Sequence, residues 1–332
     1  MVITRTPFRI SFFGGGTDYP AWFENYGKGA VLSTAIDKYC YLTCRYLPPF
    51  FWHKSRIVWS KIELPRSVDE IEHPSVRETL KFLNIQKGVE IHHKGDLPAK
   101  SGMGSNSSFT VGLLNALHVL NGKVIPKRKL ALDAIHIDQE RVKENVGCQD
   151  HVAAAFGGFN KIEFGGQQRI SVQPIVLDLK KLNSFQDHLM LFFTGISRNA
   201  SEIAVEQIKT THQKTQELKT MLEMVDEAIK ILGGNSPLDE FGKLLDETWK
   251  IKRGLTSQIT NSQIDEIYEA GKKAGASGGK LLGAGGGGFI LFFVKPEFQK
   301  KVKEAFKDLV YVPFRFDNSG SQVIYYEPNN SF

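Results

Sequence analysis

Alternation of apolar and polar positions marks the first half of the chain as strand-rich. In KYCYLTCRYL (38–47), Cys40, Leu42, Cys44 and Tyr46 fall on one face, and RIVWSKIEL (56–64) and VEIHHKGD (89–96) also read as strands. After residue 107 the sequence predicts a helix that is apolar nearly all round, which implies burial. A second helix is expected from Lys127 to Asn145, with Pro126 at its start. The second half has a different character. DHLMLFFTG (187–195) reads as a buried strand ending at Gly195, and amphipathic helices follow from Ala200 to Ile231, Leu238 to Leu255 and Ile264 to Ala274. KLLGAGGGGFILFFV (280–294) is a glycine run entering an apolar strand. PEFQKKVKEAF reads as a helix with Pro in its first turn, and YVPFRF and SQVIYYE close the chain as strands. No repeat of solenoid period is present. The change of character divides the chain into 1–185 and 186–332.

Composition narrows the class. A chain of 332 residues is long enough for about two domains, and 41% hydrophobic with 23% charged residues is ordinary for a globular protein. The formal net charge is +6, but no long Lys/Arg run stands out, PKRKL (126–130) is a short cluster, and aromatic–basic interleaving is lacking, so nucleic acid is not expected as a partner. Cys40, Cys44 and Cys148 are odd in number and match no disulfide or metal spacing, which fits a reducing cytoplasm. The N-terminus has no signal-peptide pattern, and no run of about 18 apolar residues occurs, so no membrane span is expected.

Three glycine-rich segments carry the candidate chemistry. PAKSGMGSNSS (98–108) puts small residues at the mouth of a helix, where unpaired N–H groups and the positive end of the helix dipole favour an anion such as phosphate. Ser105, Ser107 and Ser108 add hydroxyls. A serine N-cap preceded by a glycine turn gives the same pattern without a ligand. The segment is not a Walker loop, because no Lys follows the second glycine. The run from Gly283 to Gly288 satisfies GxGxxG in letters only: it enters a strand instead of opening a helix, which rules out a dinucleotide fold. A tight helix-to-strand turn needs fewer glycines than this. In PFRISFFGGGTDYPAWF (7–23), a Gly triplet is followed by Thr17 and Asp18. An Asp there either caps the turn or offers a carboxylate to sugar hydroxyls.

Taken together and in this order, the three segments resemble the three motifs of the GHMP small-molecule kinases, along essentially the whole chain. GGGTDYPAWF, SGMGSNSSFTVGLL, ENVGCQDHVAAAFGG, FTGISRNASEIA and KLLGAGGGGFILFF are most similar to one branch, the bacterial D-glycero-D-manno-heptose 7-phosphate kinases, with fucokinase domains as near relatives. The resemblance implies an α+β fold in two lobes. The first is a mixed sheet with helices, like ribosomal protein S5 domain 2, and the second is a ferredoxin-like β/α sandwich, with the site in the cleft between them. It implies ATP and Mg²⁺ as cofactors and phosphorylation of an anomeric hydroxyl, serving nucleotide-activated heptose for capsule or lipopolysaccharide. A fucokinase acting on an unphosphorylated sugar is the alternative, and a non-catalytic sugar or nucleotide sensor is a further one. The expected partners are a sugar phosphate and ATP, with a homodimer as the candidate assembly.

Residue roles follow from the resemblance. Asp150 matches the catalytic aspartate and Arg9 the cation of the first motif, which would stabilise the transferring phosphate and keep Asp150 ionised. A free carboxylate is a weak base, so orientation of the sugar hydroxyl counts for more than proton removal. Lys100, Ser101, Gly102, Met103, Gly104, Ser105, Asn106, Ser107 and Ser108 would wrap the nucleotide phosphates. Gly15, Gly16, Thr17, Asp18, Gly285 and Gly286 would face the sugar. Glu140 is the preferred metal ligand, with Glu144 one turn further on. Where the family often has a second serine, this chain has Asn106, which leaves Ser105 or Ser107 to complete the metal site. A distal phosphate needs a cation, for which Arg198 and Lys100 qualify by chemistry alone. Arg198 pairing with Glu202 at the surface is equally compatible with the sequence.

Overall fold

The computed structural model describes residues 1–165, 169–196 and 200–328. The first half runs β1 (Val2–Phe13), α1 (Pro20–Tyr26), β2 (Gly29–Tyr46), β3 (Arg56–Val58), β4 (Ile62–Glu63), α2 (Pro74–Phe82) and β5 (Val89–Gly95). It continues with α3 (Ser105–Leu120), α4 (Lys127–His136), α5 (Gln149–Phe156), β6 (Phe159–Phe164) and β7 (Ile170–Pro174). The second half runs α6 (Leu179–Asp187), β8 (Leu189–Phe193), α7 (Ala200–Thr210), α8 (Thr215–Gly233), α9 (Asp239–Arg253) and α10 (Ser262–Ala274). It ends with β9 (Ala276–Leu281), β10 (Phe289–Val294), α11 (Gln299–Ala305), β11 (Val310–Tyr311) and β12 (Gln322–Tyr326). No helix among the described residues is long and apolar enough to cross a membrane.

The first sheet has the order β12-β1-β2-β5-β3-β4, with β6 paired to both β2 and β7. Among the described residues its one parallel pair is β3 with β5. The second sheet, β11-β8-β10-β9, is antiparallel throughout and has the strand order of a ferredoxin-like sandwich. The architecture is thus the α+β one expected. The lobes do not part cleanly at 185/186, however. Strand β12, from the second segment, returns to pair with β1 of the first sheet. One apolar core also joins the two sheets. Phe12 of β1 meets Phe241 of α9 edge-on with ring centroids 5.6 Å apart, and Phe185 meets Phe241 at 4.8 Å. Burying each such ring contributes on the order of 2 kcal/mol, which fixes the base of the cleft.

Two helices depart from their sequence pattern for local reasons. The expected helix 127–145 stops at residue 141, after a π-turn over Ile137–Arg141. Asp138 is drawn inward there, accepting from Thr110 Oγ1 at 2.9 Å and bonding His151 Nε2 at 2.8 Å. Lys143 then takes a positive φ of 64°, which no helix tolerates. The chain is thereby turned along the cleft before α5 begins. The expected helix 200–231 is broken at residues 211–214. Thr210 and Thr211 turn their hydroxyls back onto the carbonyls of Glu206 and Gln207, a competing bond that weakens the helix end. The strand expected over 56–64 is a short β3–β4 hairpin.

Candidate active site

Strand β1 organises the site. Pro7 cannot donate to the ladder, and the β1–β2 register shifts between Pro7 and Phe8. The free carbonyl of Pro7 accepts from Ser108 Oγ at 2.9 Å, pinning the first turn of α3. Two residues on, Arg9 N donates to Met103 O at 3.2 Å and Arg9 Nη1 to Gly102 O at 2.7 Å. The loop 98–104 is therefore stitched to β1. Helix α3 has Gly104 as its N-cap, at φ 75°, and no side chain caps it. Its first N–H groups stay open toward the cleft.

The glycine run 283–288 holds this loop from the other side. A Cβ on Gly102 would sit 2.5 Å from Leu282 O, one on Gly283 2.5 Å from Gly102 Cα, and one on Gly288 2.1 Å from Ser101 O. Two backbones meet where any side chain would part them. The run lies between β9 and β10, so it is a strand-to-strand loop and not the helix-to-strand turn considered from the sequence.

Between these elements lies a cavity of about 420 Å³. On its wall, Arg9 clasps Asp150 by two parallel bonds, Nε to Oδ1 at 2.7 Å and Nη2 to Oδ2 at 2.8 Å. The Arg9 side chain is 5% exposed and that of Asp150 23% exposed, so the carboxylate is the open partner. A Cβ on Gly104 would lie 3.2 Å from Asp150 Oδ2, which puts the acid at the mouth of α3. Asp18 also lines the cavity, buried and accepting from the backbone N–H of Gly16 at 3.1 Å and of Gln149 at 3.3 Å. Burial, and then the charge of Asp150, raises the Asp18 carboxyl above its ordinary range.

The structure brings most of the expected residues together but sorts them. Lys100, Gly102, Gly104, Ser105, Asn106 and Ser107 line the cavity. Ser101, Met103 and Ser108 turn inward: Ser101 Oγ donates to Pro98 O at 2.6 Å, Met103 is fully buried and Ser108 holds β1. Gly15, Gly16 and Asp18 line the cavity, whereas Thr17 Oγ1 donates to the carbonyls of Gly14 at 2.8 Å and Ala30 at 3.0 Å and braces the turn. Gly285 and Gly286 pack against Ile259 instead of the cavity; Gly283 and Ala284 are the residues of that run at its wall. Arg198 lies outside the described residues.

The preference for Glu140 is corrected by placement. The π-turn leaves Glu140 exposed and off the cavity, while Glu144 lines it and accepts from Asn106 Nδ2 at 3.3 Å. Burial, and then Asp138, raises the Glu144 carboxyl above its ordinary value. Among the described residues no cluster of three or more His, Cys, Asp or Glu could hold a metal alone. One carboxylate with the hydroxyls of Ser105 and Ser107 fits Mg²⁺, which keeps several waters and shares its remaining ligands with substrate phosphates.

Ser11, Gln149, Gln207, Lys252 and Lys280 also line the cavity and were not picked out from the sequence. Ser11 Oγ and Gln149 Oε1 are buried without a hydrogen-bond partner. Gln149 had a signal, its place beside Asp150. Lys280 had another, a cation among the small and uncharged residues of a buried strand. The cysteines are all free and buried.

Comparison with known proteins agrees with this geometry. A family model described as the GHMP kinases N terminal domain matches residues 74–158, and one described as GHMP kinases C terminal matches 227–312, together just over half of the chain. A D-glycero-alpha-D-manno-heptose 7-phosphate kinase of Campylobacter jejuni is 28% identical over 341 residues, covering 96% of this chain and 97% of that protein. A bifunctional fucokinase/GDP-fucose pyrophosphorylase of Arabidopsis thaliana is 25% identical over 90% of this chain but only 30% of its own length. Among solved structures, a D-glycero-D-manno-heptose 1-phosphate kinase from Bacteriodes thetaiotaomicron superposes with a TM-score of 0.76 at 23% identity, covering 98% of this chain and 100% of that one.

Proposed function

The chain belongs to the GHMP kinases, and from that premise we propose that it is an ATP- and Mg²⁺-dependent kinase of the anomeric hydroxyl of D-glycero-D-manno-heptose 7-phosphate. Its product would be the 1,7-bisphosphate, a precursor of nucleotide-activated heptose for capsule or lipopolysaccharide, made in the cytoplasm. The observation that carries the reading is the Arg9–Asp150 clasp at the open mouth of α3, in one cavity with the unpartnered Ser11 Oγ and Gln149 Oε1. The similarity to the Campylobacter jejuni enzyme supports the choice of sugar.

Phosphoryl transfer asks a protein mainly for positioning and charge stabilisation. The N–H groups of the first turn of α3, with Ser105 and Ser107, hold the triphosphate, and Lys100 stands at the rim. Asp150 accepts the hydrogen bond of the sugar hydroxyl and aims its oxygen at the γ-phosphorus. The new O–P bond forms as the bridging bond to the β-phosphate breaks, and the hydroxyl proton passes to Asp150 or to the transferred phosphate. Arg9 keeps Asp150 in place and adds positive charge near the equatorial oxygens. Asp18 and Gln149 hold the sugar's other hydroxyls. Glu144, Ser105 and Ser107 would hold Mg²⁺, which neutralises the phosphate charge when bound.

The test is turnover with ATP against heptose 7-phosphate, the unphosphorylated heptose, fucose, galactose and mevalonate. The reading expects the highest kcat/KM on heptose 7-phosphate. Equal or higher kcat/KM on fucose would replace it with the fucokinase reading. Binding of ATP and sugar without transfer to any acceptor would leave a sensor.

A further inference from the structure

Two lysines reach the cavity from the second lobe, Lys252 in α9 and Lys280 in β9. They are 5% and 2% exposed. Their ammonium groups are held by main-chain carbonyls: Lys280 Nζ donates to Phe12 O at 2.8 Å, and Lys252 Nζ to Leu281 O at 3.4 Å and to Gly283 O. Among the described residues neither has a carboxylate within ion-pair distance. An ammonium carries three donors, so Lys280 keeps two unused and Lys252 one.

A buried cation is costly unless it is paired. Burial, then the charge of Arg9, pushes Lys252 down to about 8 against the opposing pull of Asp18 and Asp150, and burial with Lys252 and Arg9 holds Lys280 well below the ordinary lysine value. Arg9 is already balanced by Asp150. Asp18 and Asp150 offset part of the Lys252 charge from beyond ion-pair distance, and no acid offsets that of Lys280, so the wall formed by the second lobe carries positive charge that the protein compensates only in part. Ser11, one residue before the carbonyl that holds Lys280, adds a buried hydroxyl with no partner. The nucleotide's phosphates have separate provision at the N-terminus of α3 and at Lys100. The missing negative charge thus belongs to the other substrate.

We propose that Lys252 and Lys280, together with Ser11 Oγ, form the pocket for a phosphate group carried by the acceptor sugar. This rests on the sugar-kinase reading and deepens it: the acceptor class is a phosphosugar, because a neutral sugar leaves both ammonium groups without an ion-pair partner and their spare donors unused. Lys252 and Lys280 are positioning and specificity residues for the acceptor and leave the nucleotide's affinity alone.

The experiment measures binding by calorimetry on the full chain, wild type and the variants Lys252→Met, Lys280→Met and Lys252→Arg. The probes are heptose 7-phosphate, the unphosphorylated heptose and a non-hydrolysable ATP analogue, and thermal unfolding controls for folding. Wild type should bind the phosphosugar at least about tenfold more tightly than the neutral sugar, the cost of losing one charge-assisted bond or more. Each Met variant should close that gap and leave the analogue's affinity within about threefold, and Lys252→Arg should restore part of it. Equal wild-type affinities for the two sugars, or a loss that falls on the ATP analogue, would overturn the proposal. Because binding is read without turnover, the two readings fail separately. Phosphosugar preference without transfer sinks the kinase, whereas transfer with a defect confined to the nucleotide sinks only the lysine pocket.

Discussion

Arg9 and Asp150 meet through two parallel hydrogen bonds of 2.7 and 2.8 Å across 141 residues of sequence. Both partners are fixed: Arg9 by its bond to the carbonyl of Gly102, Asp150 by the first turn of α5. The geometry makes Asp150 an aiming device. Asp150→Asn keeps the shape but loses the charge and one acceptor. It is expected to lower kcat by about three orders of magnitude, the scale of losing a positioned group in a transition state, with the Kd for ATP changed by less than about threefold. Pre-steady-state phosphoryl transfer checks this. A variant that keeps more than a tenth of wild-type kcat would remove Asp150 from the chemistry.

Glu140 and Glu144 give a paired test. Both carboxylates precede Asp150, but only Glu144 faces the cavity. Glu144→Gln should raise the Mg²⁺ concentration needed for half-maximal activity by about tenfold or more, as expected when the one carboxylate ligand is lost. Glu140→Gln should stay within about twofold, as for an exposed residue away from a site. Mg²⁺ titrations of initial rate decide between them, and the reverse ranking would return the metal to Glu140.

The contrast between these two glutamates shows how far the chain could be read from its letters. Three glycine segments in order located the cleft, because each has a short-range reason to be small. Gly102 and Gly283 touch backbone to backbone, and that requirement is written in their residue type. Continued helical periodicity past residue 141 was misleading, because the buried bond of Asp138 to His151 is a tertiary contact that diverts the chain. Lys252 was invisible for the same reason. A lysine on an amphipathic helix such as α9 ordinarily faces water, and only the packing of α9 against β9 and β1 turns this one inward. Strand β12 looked like part of the second lobe because its pairing partner lies more than 300 residues away, where periodicity gives no help.

Lys252 also predicts a pH signature in stability. Its folded value, about 8, lies below the ordinary lysine value of about 10.4 in an unfolded chain. Below pH 8 both states carry the proton and the burial penalty is full. Between pH 8 and about 10.4 the unfolded state binds more protons, so the wild type gains stability as pH rises. At 1.36 kcal/mol per unit the whole effect is on the order of 3 kcal/mol. Lys252→Met removes the penalty. The variant should therefore compare most favourably with wild type below pH 8, and the difference should shift toward wild type by pH 10. Paired urea titrations at pH 7, 8, 9 and 10 measure the difference, which cancels the cysteines and tyrosines common to both proteins. A difference that does not move with pH would mean that Lys252 titrates as an ordinary lysine.

Gly147 supplies a last prediction, on the sugar side of the cleft. A Cβ there would lie 1.9 Å from Asp18 Oδ2 and 2.7 Å from Asp18 Cγ. That separation is far inside contact, so in Gly147→Ala the Asp18 carboxylate must move. Asp18 cannot move freely, because it accepts from the backbone of Gly16 and Gln149, and Cys148 N donates to its carbonyl at 3.0 Å. The displacement must therefore disturb the first glycine segment and Gln149, which neighbours Asp150. The phosphate loop is held by β1 and by residues 282–288, and among the described residues no hydrogen bond links either to Gly147. Gly147→Ala should raise the KM for the acceptor by about tenfold or more, consistent with a carboxylate hydrogen bond lost to the sugar. It should leave the KM for ATP within about twofold. Bisubstrate kinetics separate the two constants. If the ATP constant rises while that of the acceptor stays put, Asp18 belongs to the nucleotide half of the cavity and the sugar must be placed elsewhere.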